Sequence, residues 1–201
     1  MKIDVSSADV LTVYQALVGI VTPRPIAWVT TMDDQGRVNL APFSFFNAFG
    51  ANPPVVVFSP TVRRDGSRKD TLRNLDVVPE FVLNAVVEEL AEPMNLTAKE
   101  LPPGSSEADY AGLALGPSLK VRPPRVLASP VHIECKLHQV VSIGQGPLSA
   151  NLVIGEVLII HADESVVDLS GQIDPRKLRT IARLGGDYYC RSTDLFEMRR
   201  P

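Results

Sequence analysis

Read for the alternation of apolar and polar positions, the chain divides into short strands and a few short helices. Residues 26–32 and 37–43 are apolar and β-branched runs on either side of Asp33-Asp34-Gln35-Gly36, a polar link whose glycine can take positive φ. They predict a β-hairpin. Pro54-Val55-Val56-Val57-Phe58-Ser59-Pro60 is a β-branched run closed by proline at both ends, as in a buried strand with abrupt limits. In residues 67–75 the period changes: Leu72 and Leu75 share a helical face, and Ser67 or Asp70 stands where a helix would be capped. Residues 80–87 return to strand. Residues 88–98 then predict a second helix, with Leu90, Met94 and Ala98 facing inward.

Prolines 102, 103, 117, 123, 124 and 130, with Gly104, make a long helix or central strand improbable between 101 and 130, so this stretch reads as a loop or lid over one edge. Two long strands follow, 131–143 and 152–161, joined through the hairpin-like segment 144–150. Asp174-Pro175 has the form of an N-cap with proline in the first helical position, and Gly185-Gly186 would close that helix. A last strand is expected over 193–198. The order is mainly antiparallel strands with short helices inserted, and a doubly wound sheet would need regular strand–helix alternation. The expected fold is therefore a closed or nearly closed β-barrel with peripheral helices.

Composition narrows the function. With 201 residues, 45% of them hydrophobic and 21% charged, the chain can bury one full core, so a single domain over 1–201 is expected. A formal net charge of −3 gives no overall attraction to nucleic acid or to an anionic membrane. Asp4 interrupts the start before any apolar signal run forms, which predicts a cytoplasmic protein. The apolar stretch at 152–160 is broken by Gly155 and Glu156 and is too short to span a bilayer. Cys135 and Cys190 fit neither a disulfide framework nor a Cys-x-x-Cys site, and Cys135 alternates with Ile133 and Leu137 as a core position. His132, His138 and His161 are not spaced with carboxylates as metal ligands, so no metal is expected.

The chemistry concentrates in two segments, Pro23-Arg24-Pro25-Ile26-Ala27-Trp28-Val29-Thr30-Thr31 and Asn39-Leu40-Ala41-Pro42-Phe43-Ser44-Phe45-Phe46-Asn47. They bring an apolar wall beside amide, hydroxyl and carboxamide groups at the end of a strand pair. Together with Lys69-Asp70-Thr71, Gly155-Glu156-Val157 and Arg183-Leu184-Gly185-Gly186, they resemble the flavin reductase-like family of FMN-binding split barrels over about residues 20 to 200. The resemblance implies a six-stranded antiparallel split β-barrel of Greek-key type, a homodimer, and FMN bound near the dimer interface.

The residue chemistry is compatible with that implication. FMN needs a place for its phosphate, donors and acceptors along its ring edge, and an apolar surface. Ser67, Arg68, Lys69 and Thr71 lie at a predicted helix start, where free N–H groups and the dipole favour an anion; the alternative is a solvated basic helix start. Asp70 suits a cap better than a ligand, because a carboxylate repels phosphate. Thr30 and Thr31 could bond phosphate or ribityl oxygens, or simply be good strand formers. Ser44, Phe45 and Asn47 follow Pro42, which ends the second strand, so their backbone groups are expected free of a ladder and facing the ring edge. Phe43, Phe45 and Phe46 cannot all face one side, and the pattern does not choose among them. Trp28 alternates with Ile26 and Thr30 and fits a core position.

No catalytic side chain is expected, since hydride passes from a nicotinamide to the flavin directly. Gly144-Gln145-Gly146 is not a dinucleotide fingerprint, because Pro147 and Leu148 follow and no helix opens there. The nicotinamide would visit an open groove, with His161, Tyr188 and Tyr189 at its rim or in the core. The function expected is an FMN-dependent flavin reductase using NADH or NADPH, handing reduced flavin to a partner such as a monooxygenase. The alternative is an FMN-holding electron carrier with little nicotinamide turnover.

Overall fold

A computed structural model describes residues 1–102, 105–199 and 201; Pro103 and Gly104 of the proline-rich stretch lie outside the described residues. The chain opens with an element that the apolar pattern does not announce. Asp9 accepts the Thr12 N–H at 3.0 Å and its hydroxyl at 2.6 Å, and so caps helix α1, Val10–Ile20. This segment is rich in β-branched residues and carries no charge, so no polar face marks out its helical period.

Strands β1, Ala27–Met32, and β2, Val38–Phe43, form the expected hairpin, with Thr31 opposite Asn39. The Asp33 carboxylate ties the turn by accepting the N–H groups of Gln35 and Arg37 at 3.0 and 2.8 Å, while Gly36 takes φ +82°. After Ser44 and Phe45 a second hairpin follows, β3, Phe46–Ala51, and β4, Pro54–Phe58. This corrects the expectation for the corner: Asn47 is laddered opposite Val57, and only Ser44 and Phe45 are outside strands. Ala48, Gly50 and Ala51 have weak strand preference, so β3 is specified by its partner and not by its own sequence.

Helix α2 runs Asp70–Val77, with Leu72 and Leu75 buried as predicted, but neither Ser67 nor Asp70 caps it. Lys69 holds the N-cap position in extended conformation with no side-chain bond. Strand β5 is Glu80–Asn84, shorter than predicted because the Ala85 N–H turns to the Val131 carbonyl. The next segment divides into a 3-10 turn, Glu88–Leu90, and helix α3, Ala91–Leu96, which holds Pro93 in its first turn. Leu90 and Met94 point inward, but Thr97 replaces Ala98 there: its hydroxyl accepts the indole N–H of Trp28 at 2.9 Å and donates to the Met94 carbonyl at 2.7 Å. The proline-rich stretch contains α4, Glu107–Tyr110, and a minimal ladder of β6, Leu115–Gly116, with β7, Arg125–Val126.

Strands β8, Val131–Ile143, and β9, Ala150–Ala162, are the longest elements. Near the carboxyl end two expectations fail. Helix α5, Pro175–Leu178, is capped by Asp174 as read, but ends at Arg179 in left-handed conformation. Gly185-Gly186 instead turns the chain between β10, Ile181–Arg183, and β11, Tyr189–Arg191. Residues 193–198 form no strand, since the ladder of this hairpin ends with Ser192 donating to the Thr180 carbonyl.

The main sheet has seven antiparallel strands in the order β2-β1-β5-β8-β9-β4-β3. Its two edges, β2 and β3, are joined by only Ser44 and Phe45, which can span about 10 Å at most. The sheet must therefore roll until its edges meet at that corner, which makes a split barrel; β3 is the strand beyond the six expected. Phe58 sits at the barrel's centre, with the rings of Phe43 and Phe81 at 5.4 and 5.3 Å. Leu72 and Leu75 of α2 close this core. A second core, with Trp28, Leu40, Met94 and Val126, lies on the opposite face of β1 and β2. Among the described residues no helix is long and apolar enough to cross a membrane.

Candidate cofactor site

The start of α2 presents an unusual lysine. Lys69 is half-buried, with its Nζ 5.7 Å from the Phe43 ring centre, and among the described residues no carboxylate lies within ion-pair distance of it. Burial holds its pKa below the ordinary lysine value, and the neighbouring Arg63 adds to this, against Glu100 and Asp70. Asp70 is engaged elsewhere: Arg63 reaches its carboxylate at 2.8 Å and Arg73 at 2.5 Å. The uncapped helix start and the unneutralised ammonium favour an anion at the same place.

Lys69 lines a cavity of about 440 Å³ between α1, the 61–65 loop and the β8–β9 turn, together with Tyr14, Thr61, Arg63, Arg64 and Leu148. A larger cleft of about 660 Å³ shares Arg63, Asp65 and Glu100 with it, but six carboxylates against three arginines line that cleft, whereas Asp65 and Glu100 stand against Arg63, Arg64 and Lys69 in the smaller one. An anion is better served in the smaller one. Tyr14, Thr61, Arg63 and Arg64 were missed by sequence reading. No motif flags them, and Tyr14 comes into place only because α1 folds as a helix.

Tyr14 leads to the corner. Its ring meets Phe45 edge-on at 6.3 Å, and the Arg24 guanidinium lies 5.9 Å from the centre of the same Phe45 ring. The Arg24 Nε–H reaches the Ser44 hydroxyl at 3.4 Å. Ser44 and Phe45 are half-buried, while Asn47 is exposed and turns its carboxamide oxygen to the Ala48 N–H at 2.8 Å. Beyond it Ala48, Gly50 and Ala51, with the exposed Phe49 ring among them, form an open strip on the free edge of β3. A planar ring of mixed polarity fits such a surface.

The remaining singled-out residues divide by face. Thr31 and Thr71 are buried beneath the start of α2 in one amide network: Asn39 Nδ2 donates to Thr71 at 3.1 Å and Asn74 Nδ2 to Thr31 at 3.1 Å. Thr30 points to the other face and donates its hydroxyl to the Pro124 carbonyl at 2.6 Å. Phe43 is core. Ser67 closes a turn, its N–H on Asp65 at 2.8 Å, and Arg68 is exposed and paired with Asp76 at 2.5 Å. Lys69, Ser44 and Phe45 thus stay near the cavity and its corner. His161 is bonded to the buried Glu134 at 2.7 Å, Tyr189 is bonded to Arg183, and Tyr188 is exposed.

Comparison with known proteins agrees with this architecture. The model of the flavin reductase like domain matches residues 20–174. The chain belongs to that family, whose members are flavin-binding oxidoreductases of split-barrel fold. Nitrilotriacetate monooxygenase component B from Bacillus cereus is 34% identical and superposes with a TM-score of 0.92 over 98% of both chains. The 2-nitrobenzoate 2-nitroreductase NbaA of Pseudomonas fluorescens is 33% identical, with a TM-score of 0.89 over 100% of this chain and 96% of its own. A Shewanella frigidimarina protein with a split barrel domain, 22% identical, matches over all of both chains with a TM-score of 0.85 and speaks for the fold alone.

Proposed function

We propose that this chain is a homodimeric flavin reductase that holds FMN with its phosphate at Lys69 and the start of α2 and its ring along Ser44–Asn47. The observation that carries the reading is Lys69, a half-buried ammonium with no carboxylate partner among the described residues, above an uncapped helix start. A phosphate supplies the missing charge. FMN, when bound, accepts a hydride from NADH or NADPH; the protein's part is to hold the ring flat on the open strip and leave one face free for the nicotinamide. No protein nucleophile is required. The resemblance to a monooxygenase component B supports a partner oxygenase as the destination of the electrons.

The test is optical. Purified protein titrated with FMN should turn yellow, and NADH or NADPH should bleach that colour within seconds in a stopped-flow instrument. A yellow protein that nicotinamides bleach only over many minutes is an electron carrier, and a protein that takes up no FMN has no flavin site. A second reading, in which the bound flavin reduces a small organic acceptor on the same protein, is favoured by the resemblance to a nitroreductase. Nitroaromatic consumption without a second protein would distinguish it.

A further inference from the structure

We infer that Arg24, acting through the Ser44 hydroxyl, biases the corner between β2 and β3 toward the reduced, more negatively charged form of the flavin. This rests on the reading that the ring lies along Ser44–Asn47. A hydride carries two electrons and one proton, so its donor becomes a pyridinium cation and the acceptor ring gains one negative charge unless a second proton follows. A cation held nearby at all times stabilises that charge without reorganising.

Arg24 is such a cation. It is only 5% exposed, and every acceptor around it is formally neutral. One terminal nitrogen donates to the Val18 and Val21 carbonyls at 2.6 and 2.7 Å, the other to the Leu184 carbonyl at 3.0 Å, and Nε to Ser44 Oγ at 3.4 Å. Among the described residues no carboxylate pairs with it, whereas the half-buried Arg63 and Arg183 pair with Asp70 and Asp187; the half-buried Arg125, which donates to the Pro117 carbonyl, is likewise without a carboxylate but is less buried than Arg24. The carbonyl end of α1 offsets part of the burial cost. The remainder of the charge faces Ser44 and Phe45. Because Ser44 accepts from Arg24, its own proton is left to donate away from the guanidinium, toward the open side of the corner. Arg183 adds a second positive group beside Arg24, the two being paired through their backbones at 2.9 and 2.8 Å.

A merely structural role is visible as well: Arg24 clasps the end of α1 to the turn at Leu184. The two roles separate when the oxidation state of the ligand is varied. Dissociation constants for oxidised FMN, and anaerobically for reduced FMN, should be measured in the unmodified protein, Arg24→Lys, Arg24→Gln and Ser44→Ala. Arg24→Gln should weaken reduced FMN about tenfold more than oxidised FMN. That differential corresponds to a bound midpoint potential about 30 mV lower for a two-electron couple. Arg24→Lys should keep the ratio close to the unmodified value, and Ser44→Ala should move it in the same direction as Arg24→Gln. Equal losses in both states, or no loss, would make Arg24 a clasp only and overturn the inference. If Arg24→Gln fails to fold by circular dichroism, an unchanged ratio in Ser44→Ala overturns it equally. An unmodified protein that binds neither form of FMN removes the flavin reading itself, a different outcome from unchanged ratios in a protein that binds both.

Discussion

At the residue scale, the decisive property is whether a charge has a partner. Lys69 has none among the described residues, so Lys69→Ala should weaken FMN by about 1.5–3 kcal/mol, the range for a hydrogen bond to a charged group, and riboflavin much less. Paired fluorescence titrations decide it, and equal losses would place the phosphate elsewhere. Glu134 is the opposite case. Burial pushes its carboxyl up, but the N–H groups of Leu119 and Lys120 and the His161 ring outweigh this and hold it below the usual range. A carboxyl depressed in the folded state stabilises above its unfolded value, near pH 4.3, and that contribution disappears as pH falls through the folded value. Glu134→Gln should therefore be less stable at pH 7 by about 1–3 kcal/mol, and the gap should narrow below about pH 4. Thermal melts at pH 7, 5 and 3.5 would show it, and a constant gap would refute it. These four groups anchor the 117–124 segment, which explains why a proline-rich stretch with so little regular structure is nonetheless ordered against the sheet.

Elements show where sequence is informative. Gly155 pairs across β8 and β4, and a Cβ there would stand 2.3 Å from Cζ of the fully buried Phe81 ring. The ring cannot move out of a filled core, so Gly155→Ala should destabilise by about 1–3 kcal/mol, read as a lower denaturant midpoint. Gly19, by contrast, has open space where its Cβ would be and should accept alanine with little change. The β1–β2 hairpin, β4, α2, β8 and β9 were legible because period, proline boundaries and turn glycines act locally. α1, β3 and the β10–β11 hairpin were not. α1 lacks a polar face, β3 is made of small residues that only a neighbouring strand can order, and Gly185-Gly186 serves a hairpin as readily as a helix end. The site divides the same way: Lys69 and the Ser44 corner could be read from the chain, whereas Tyr14, Thr61 and the buried isolation of Arg24 exist only after closure.

At the scale of the whole molecule, one apolar surface stays largely open. Along α1 and its C-cap, Val10, Tyr14, Leu17 and Val21 recur at i, i+4, i+7 and i+11, all exposed, while Val18 is the only buried residue of the helix. Phe49 on the free edge strand β3 and Ile160 on β9 are also more than half exposed. A helix that buries so little has no folding energy of its own to spare at this length, because most helical stability comes from packing an apolar face. In the proposed dimer a second copy of the chain covering α1 would supply that packing and would also shield the Tyr14 side of the cavity. The expected result is a dimer in sedimentation velocity at micromolar concentration. Leu17→Lys places a charge in the middle of the covered face and should shift the protein to monomer while leaving the barrel's circular dichroism intact. Because Tyr14 borders both the helix face and the Lys69 cavity, FMN affinity should fall in the monomer although Leu17 lies outside the phosphate site. An unmodified protein that sediments as a monomer at tens of micromolar would overturn the dimer and leave α1 uncovered by its own copy.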